Sequence, residues 1–226
     1  CMDNSHHDII KRSYKRCKAF VISNSGVAQR RVLTSVHLRK LLKQNADLIE
    51  ITSPVISGLY NFLKNSGFII ILTDKNGCII EMAGDKNALD EASCLNLVPG
   101  AFMDEKSIGT NGAGTALAEN CPVQITAEEH FIPVFNKYTC SAAPIHDASN
   151  QIIGVLNLTG NSERVHPHTL GMVVAAVAAI EYNINNYNIQ KQLHNSNQFA
   201  FSMMNNLTNG LFAMDLNDQI LWVNDT

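Results

Sequence analysis

The residues of this 226-residue sequence with chemistry to offer are its cysteines, its histidines and one glycine-rich turn. The cysteines are Cys1, Cys17, Cys78, Cys94, Cys121 and Cys140, and none forms a C-x-x-C pair. They read as reduced thiols, not as a disulfide framework. Cys121, His130 and Cys140 could meet at a metal in space, but their intervals match no zinc-ligand spacing, so no metal site is expected. Cys140 lies in a strand-like run between Thr139 and Ser141. As a nucleophile or redox sensor it would need a lowered pKa and access to solvent. No base accompanies it in sequence, and a buried, inert thiol is the simpler expectation. His130, beside Glu129, is either a ligand-contacting or pH-sensitive imidazole or one hydrogen-bonded into the fold. His166 and His168 flank Pro167 and do not share a helix face.

Gly109, Gly112 and Gly114 lead into the helix-favouring run Thr115–Glu119. Free backbone N–H groups at a helix start could cradle an anion, but turn geometry alone also accounts for the glycines. The spacing is neither a P-loop nor a dinucleotide fingerprint. Thr110 and Asn111 could touch a ligand there or cap the helix with their side-chain oxygens. The candidate ligand-contacting set is therefore Thr110, Asn111, His130, Cys140 and Ser141. No catalytic residue and no cofactor are expected.

These residues need elements to position them. Thr34 or Ser35 can cap a helix whose apolar stripe runs through Leu38, Leu41, Leu42, Leu48, Ile49, Val55, Ile56, Leu59 and Leu63, with a kink or a junction of two helices at Pro54. Phe68–Thr73 and Cys78–Met82 read as strands joined by Asp74-Lys75-Asn76-Gly77, with Asn76-Gly77 supplying positive φ. Thr139–His146 and Gln151–Leu158 form a second hairpin around Asp147–Asn150. The alternation Leu156-Asn157-Leu158 suits a sheet with one wet or cavity-facing side. From Pro167 a helix carries apolar residues at Leu170, Val173, Val177, Ile180, Ile184 and Tyr187, in alternating steps of three and four. Such a seam pairs with another helix, making this a dimerisation and signalling helix, or packs on the chain's own sheet. A last hairpin, Gly210–Met214 and Gln219–Asn224, holds only two strands, too few to stand alone.

Composition sets outer bounds. A hydrophobic fraction of 46% with 16% charged residues supports a packed core. A net charge of −3, from 17 basic and 20 acidic residues, gives no drive toward nucleic acid. No apolar run approaches the roughly 18–20 residues of a membrane helix, and the polar start shows no signal peptide. A cytoplasmic location is expected.

The run Gly109-Thr110-Asn111-Gly112-Ala113-Gly114-Thr115-Ala116-Leu117 resembles the GTN-x-x-GTAL signature of GAF domains in sigma-54-dependent activators of the acetoin and dihydroxyacetone regulator type. Further matches follow in family order: Pro122-Val123, Glu129-His130, Cys140–Ile145 to CSAAPI, Gly154–Gly160 to GVLDLSG, and His166–Leu170 to HPHTL. Upstream, Ile10–Cys17 resembles an I-x-x-S-W-x-R-C opening, and Leu72-Thr73-Asp74 with Gly77 resembles LTD-x-x-G. Gly210–Asn224 is similar to the first hairpin of a PAS domain. Departures are Tyr14 for Trp, Asn157 for Asp, and Met103–Lys106 for an acidic, Trp-containing stretch.

The resemblance implies an α+β fold, a GAF-like antiparallel sheet flanked by helices. It divides the chain into an N-terminal helical segment (1–45), a GAF-like domain (46–165), a connecting or dimerisation helix (166–198) and the start of a PAS domain (199–226). It implies a sensor, not an enzyme, acting on an AAA+ ATPase and a DNA-binding domain that this chain does not contain. The fragment itself is expected neither to hydrolyse ATP nor to bind DNA, and it would reach sigma-54 RNA polymerase only through those other domains. Its expected partners are a small metabolite (a diol, ketol or keto compound) or a metabolic-enzyme subunit, together with a second copy in a homodimer. Two alternatives stay open: the GAF-PAS sensor of a histidine kinase or cyclic-dinucleotide enzyme, and a GAF-fold thiol reductase.

Overall fold

The computed structural model describes residues 5–20, 22, 31–206 and 209–224; Cys1 lies outside them. Helices α1 (His6–Ala19), α2 (Ser35–Gln44) and α3 (Ala46–Leu63) precede strands β1 (Ile69–Asp74) and β2 (Ile79–Gly84). Helices α4 (Lys86–Cys94), α5 (Glu105–Ile108) and α6 (Gly112–Glu119) follow, then β3 (Val123–Thr126), β4 (Tyr138–His146) and β5 (Ile152–Asn161). Helix α7 (Pro167–Asn205) leads to β6 (Phe212–Met214) and β7 (Ile220–Val223). The chain divides into two compact units, residues 1–184 and 185–226.

The first unit is built on one antiparallel sheet of order β2-β1-β5-β4-β3. Strand alternation sends its side chains into two cores. Ile69, Ile71 and Val155 pack with Ile9 of α1, Ala92 of α4, Ile108 of α5 and Ala113 of α6. Ile70, Leu72, Leu156 and Leu158 pack with Leu48 and Ile56 of α3 and with α7. Helices cover both faces, which is why β1 is buried along its whole length.

This arrangement corrects the expectation for α7. Val173, Val177, Ile180 and Ile184 are buried in the second core, and Leu170 is half-buried. The seam that could have paired with another helix is consumed by the chain's own sheet. That sheet would otherwise expose Ile70, Leu72, Leu156 and Leu158, each worth roughly 1.5–3 kcal/mol when buried. Tyr187 belongs to the second unit and is half-buried. Helix α3 continues through Pro54, so no junction of two helices lies there. The break falls at Asn45, between α2 and α3, where the side-chain amide donates to the Leu41 carbonyl at 2.9 Å.

One turn recipe serves all three hairpins. In the first, Asp74 Oδ1 accepts from the N–H groups of Asn76 (2.9 Å) and Cys78 (2.8 Å), and Gly77 takes φ +76°. In the second, Asp147 Oδ1 accepts from Ser149 and Gln151, and Asn150 takes φ +59°. In the second unit, Asp215 Oδ1 accepts from Asn217 and Gln219 ahead of Asp218 at φ +60°. The aspartate satisfies turn N–H groups that the strands cannot reach. In the first turn the positive φ falls on Gly77 alone, while Asn76 spends its side chain on Asp74 Oδ2.

Two glycines give opposite predictions. A Cβ on Gly112 would stand 2.5 Å from Asn157 Oδ1 and 2.7 Å from Cys140 Cβ, whereas one on Gly171 meets nothing within 4 Å. Gly112→Ala should destabilise the protein by about 1–3 kcal/mol through overpacking. Gly171→Ala should stabilise it by about 0.4–1 kcal/mol. Urea unfolding of the two variants reads both signs.

Candidate functional site

Helix α1 brings the first cluster together. Ser5 caps it, and Ile9, Ser13 and Cys17, each four residues apart, form its buried stripe. Arg12 and Arg16 flank that stripe and reach two carboxylates whose side chains are 4% (Glu105) and 8% (Glu119) exposed. Arg16 donates through Nε to Glu105 Oε2 (2.6 Å), through Nη2 to Glu105 Oε1 (2.9 Å), and through Nη1 to Glu119 Oε1 (2.6 Å). Arg12 donates to Glu119 from Nε and Nη2. The Ser13 hydroxyl is 2.6 Å from Glu105 Oε1 and 2.7 Å from Thr110 Oγ1, and Thr115 donates to Glu105 at 3.1 Å. The fork geometry of each guanidinium matches a carboxylate. Hydrogen bonding to Glu105 pushes the Arg16 pKa up. Burial alone would raise the Glu119 carboxyl, but Arg12 and Arg16 hold it below its ordinary value.

The glycine-rich signature closes onto this clamp. Asn111 Oδ1 accepts from Gly114 N at 3.0 Å, and its Nδ2 donates to the carbonyls of Met103 and Gly109, both at 2.8 Å. Asn111 thus spends its amide on capping α6 and fixing the preceding loop, and Thr110 spends its hydroxyl beside Ser13 and Cys17. Gly109 takes φ +69° against the Phe131 ring, where a side chain would collide. Capping and turn geometry therefore account for these residues.

The remaining candidates do not converge. His130 is buried, its Nδ1 lies 3.0 Å from the Ala127 carbonyl, and burial lowers its pKa. Its Nε2 has no partner among the described residues. The Tyr14 hydroxyl reaches the His130 carbonyl at 3.1 Å, and its ring meets Phe131 edge-on. Cys140 faces α6, 3.2 Å from Thr159 Oγ1, and burial pushes its thiol up to about 11, so it stays protonated at neutral pH. Ser141, one residue on, points to the opposite face and accepts from Gln124 Nε2 at 2.8 Å. His166 and His168 lie side by side on the surface, ring centroids 4.4 Å apart.

A crevice opens instead between α4 and the adjoining ends of β1, β5 and β4. Its mouth, about 450 Å³, is rimmed by Asn65, Asp85, Glu91, Lys137, Tyr138 and Arg164. It narrows to an inner space of about 20 Å³ over Ile69, Leu97, Thr159 and Gly160. Glu91 of α4 bridges the entrance, pairing with Lys137 Nζ at 2.5 Å and accepting from the Tyr138 hydroxyl at 2.8 Å. Those contacts hold the Glu91 carboxyl below its ordinary value; burial, with Glu91 beside it, pushes the Tyr138 phenol up to about 12. Behind the floor, Thr159 Oγ1 accepts from Asn157 Nδ2 at 2.7 Å. Asn157 Oδ1 and the Thr73 hydroxyl, both fully buried on this same face, have no partner among the described residues. The Leu156-Asn157-Leu158 alternation suggested a wet or cavity-facing side, but Asn157 is fully buried beneath α6. Glu91, Lys137 and Tyr138 carry no motif and emerge only from the fold, while Thr159 falls within the Gly154–Gly160 match. Among the described residues, no cluster of three His, Cys, Asp or Glu side chains could hold a metal ion.

The fold is a helix-covered antiparallel sheet, GAF-like in architecture, with a side crevice. The chain belongs to the family described as MimR, N-terminal domain, whose model matches residues 25–182. It is 41% identical over 220 residues to a signal-transduction and transcriptional-control protein of Clostridium beijerinckii, covering 97% of this chain and 35% of that protein. It is 30% identical over 191 residues to the acetoin dehydrogenase operon transcriptional activator AcoR of Bacillus subtilis, covering 84% of this chain and 32% of that one. The chain thus spans about a third of the length of these relatives. Among solved structures, the Escherichia coli DhaR(N)–DhaL complex matches with a TM-score of 0.86 at 16% identity, over 96% of this chain and 74% of that one. At that identity the likeness establishes the fold. No helix among the described residues is long and apolar enough to cross a membrane.

Arg16→Met should cost about 3 kcal/mol of stability by urea unfolding. That is near the low end for an orphaned buried carboxylate, because Arg16 keeps a third of its side chain in water. The Glu119 carboxyl sits below its ordinary value of 4.5 in the folded state. Its contribution is therefore complete above about pH 4.5 and lost as pH falls through the folded-state pKa. Acid titration should show Glu119→Gln lacking that part of the wild-type pH dependence.

Proposed function

We propose that this chain is the signal-sensing region of a bacterial sigma-54-dependent transcription activator, and that a small hydroxylated or keto metabolite enters at the crevice beside α4. The observation that carries this reading is the polar Thr159 on the floor of the inner space, its hydroxyl backed by Asn157 Nδ2 at 2.7 Å. A ligand hydroxyl bonded to Thr159 would add about 0.5–1.5 kcal/mol. The inner space is too small for a ligand while α4 is closed, so binding requires α4 to lift. The Glu91–Lys137 pair that holds it is half exposed, the kind of contact worth about 0–1 kcal/mol. A metabolite that binds only the lifted form shifts the population toward it. A switch from 1:99 to 99:1 takes roughly 5.5 kcal/mol of differential affinity.

Strand β5 gives the shift a route. Thr159 lines the crevice floor, while Leu156 and Leu158 face α7 across the same backbone. In this reading α7 carries the change toward the ATPase and DNA-binding domains of the whole activator, in the cytoplasm. A homodimer would use the outer face of α7, where Val174 and Tyr182 are exposed, and Phe62 of α3. The reading involves no bond chemistry, in keeping with the protonated Cys140. A second reading, sensing through a metabolic-enzyme subunit, is favoured by the solved complex of DhaR(N) with DhaL.

Thermal-shift measurements with small diols, ketols and keto compounds test the proposal. At least one should raise the melting temperature of the wild type, and Thr159→Val should abolish that rise. Cys140→Ser should leave it in place. Stabilisation by none of them, with capture of an enzyme subunit by the immobilised chain, would transfer the function to the protein partner.

A further inference from the structure

A second groove, on the other side of the β1–β2 turn from the crevice, has an unbalanced set of charges. It measures about 510 Å³ and is bounded by Arg31, α2, the turn and the start of α5. Arg31, Lys40 and Lys106 bring positive charge to it, and Asp74 and Asp104 bring negative charge. The two signs do not pair: among the described residues, none of the three cations makes an ion pair with a carboxylate. The carboxylates are already committed. Asp74 is 2% exposed, and its two oxygens accept from Asn76 N, Cys78 N and Asn76 Nδ2. Asp104 Oδ1 accepts from the Ser107 hydroxyl. Cys78, at the floor, is buried and stays a neutral thiol, pushed up to about 12 by burial first and then by Asp74.

The cations are held in place without being neutralised. The Arg31 carbonyl accepts from Phe102 N at 3.1 Å, and Val32 bridges Ala101, which fixes the backbone beside it. The Arg31 guanidinium lies 4.2 Å from the centre of the Phe102 ring, over its face, and its N–H groups make no hydrogen bond among the described residues. Lys40 projects from α2 one turn beyond His37, whose Nδ1 is tied to Thr34 Oγ1 at 2.8 Å. Lys106 extends over the Phe20 ring. Leu33 and Leu41 add apolar wall.

The geometry points to a binding site for a small dianion, a phosphate ester or a dicarboxylate of a few carbons, with Arg31 gripping one end bidentately and Lys40 and Lys106 closing on it. The two oxygens of such a group match the guanidinium edge. The apolar wall accommodates a short carbon skeleton, and Asp74, with both oxygens taken, does not compete for the cations. This site is separate from the α4 crevice and does not depend on the reading given to it.

Isothermal titration calorimetry on the chain with inorganic phosphate, glycerol 1-phosphate and succinate tests the site, with glycerol as the neutral control. At least one dianion should bind, and the preferred one separates a phosphate source from a dicarboxylate source. Arg31→Gln and Lys40→Gln should each weaken it by about tenfold. Both side chains are exposed, so the melting temperature of the unliganded protein should not move. Neither variant should alter any diol or ketol response that Thr159→Val abolishes. Equal binding by wild type and both variants would overturn the proposal. So would binding of none of the three dianions, whether or not an acidic peptide or duplex DNA binds in a manner sensitive to Arg31→Gln.

Discussion

The rest of the first unit depends on a buried carboxylate, Glu105, and the guanidinium that answers it. A charge at 4% side-chain exposure is tolerable only when it is paired and its remaining lone pairs are filled. Arg16, Ser13 and Thr115 do this together. Because the first two come from α1 and the third from α6, satisfying one carboxylate ties the N-terminal helix to the roof of the sheet. Glu119 repeats the arrangement at the far end of α6 through Arg12 and Arg16.

The consequence is a roof pressed hard on the sheet. Gly112 lies so close to β4 and β5 that no side chain fits. The inner face under α6 is thus closed over Asn157, while Thr159, two residues on along β5, reaches the side held by α4. Besides the apolar contacts of Ala88, Leu89 and Ala92, that side is fastened by one half-exposed ion pair and one phenol hydrogen bond, where the roof is fastened by buried bidentate pairs. A ligand can shift an equilibrium only by its differential affinity for the two states, so the weakly fastened flank is the one it could move at the lower cost.

Much of the fold was legible in sequence because local chemistry determined it. Asp74, Asp147 and Asp215 each write the same turn, and the apolar, β-branched run of β1 and the alternation in β5 declared strands, though not that both faces would be covered. The capping role of Asn111 and the inert thiol of Cys140 followed from residue type. The opening run from Ser13 to Cys17 was recognisable as a pattern, but its purpose was not, since the carboxylates it meets lie some ninety residues away in the chain. The crevice was illegible for the same reason. Glu91, Lys137 and Tyr138 are ordinary surface residue types, and only the docking of α4 against the strand ends makes them an entrance. The α7 seam misled because a three-four repeat states that a helix has one apolar face without stating what covers it.

Native-state amide hydrogen exchange compares the two flanks directly. If the clamp fixes the roof while α4 is free to lift, the amides of α4 should exchange through low-energy local openings, and those of α6 should be protected to nearly the free energy of global unfolding. Exchange in α6 as fast as in α4, or faster, would contradict the account.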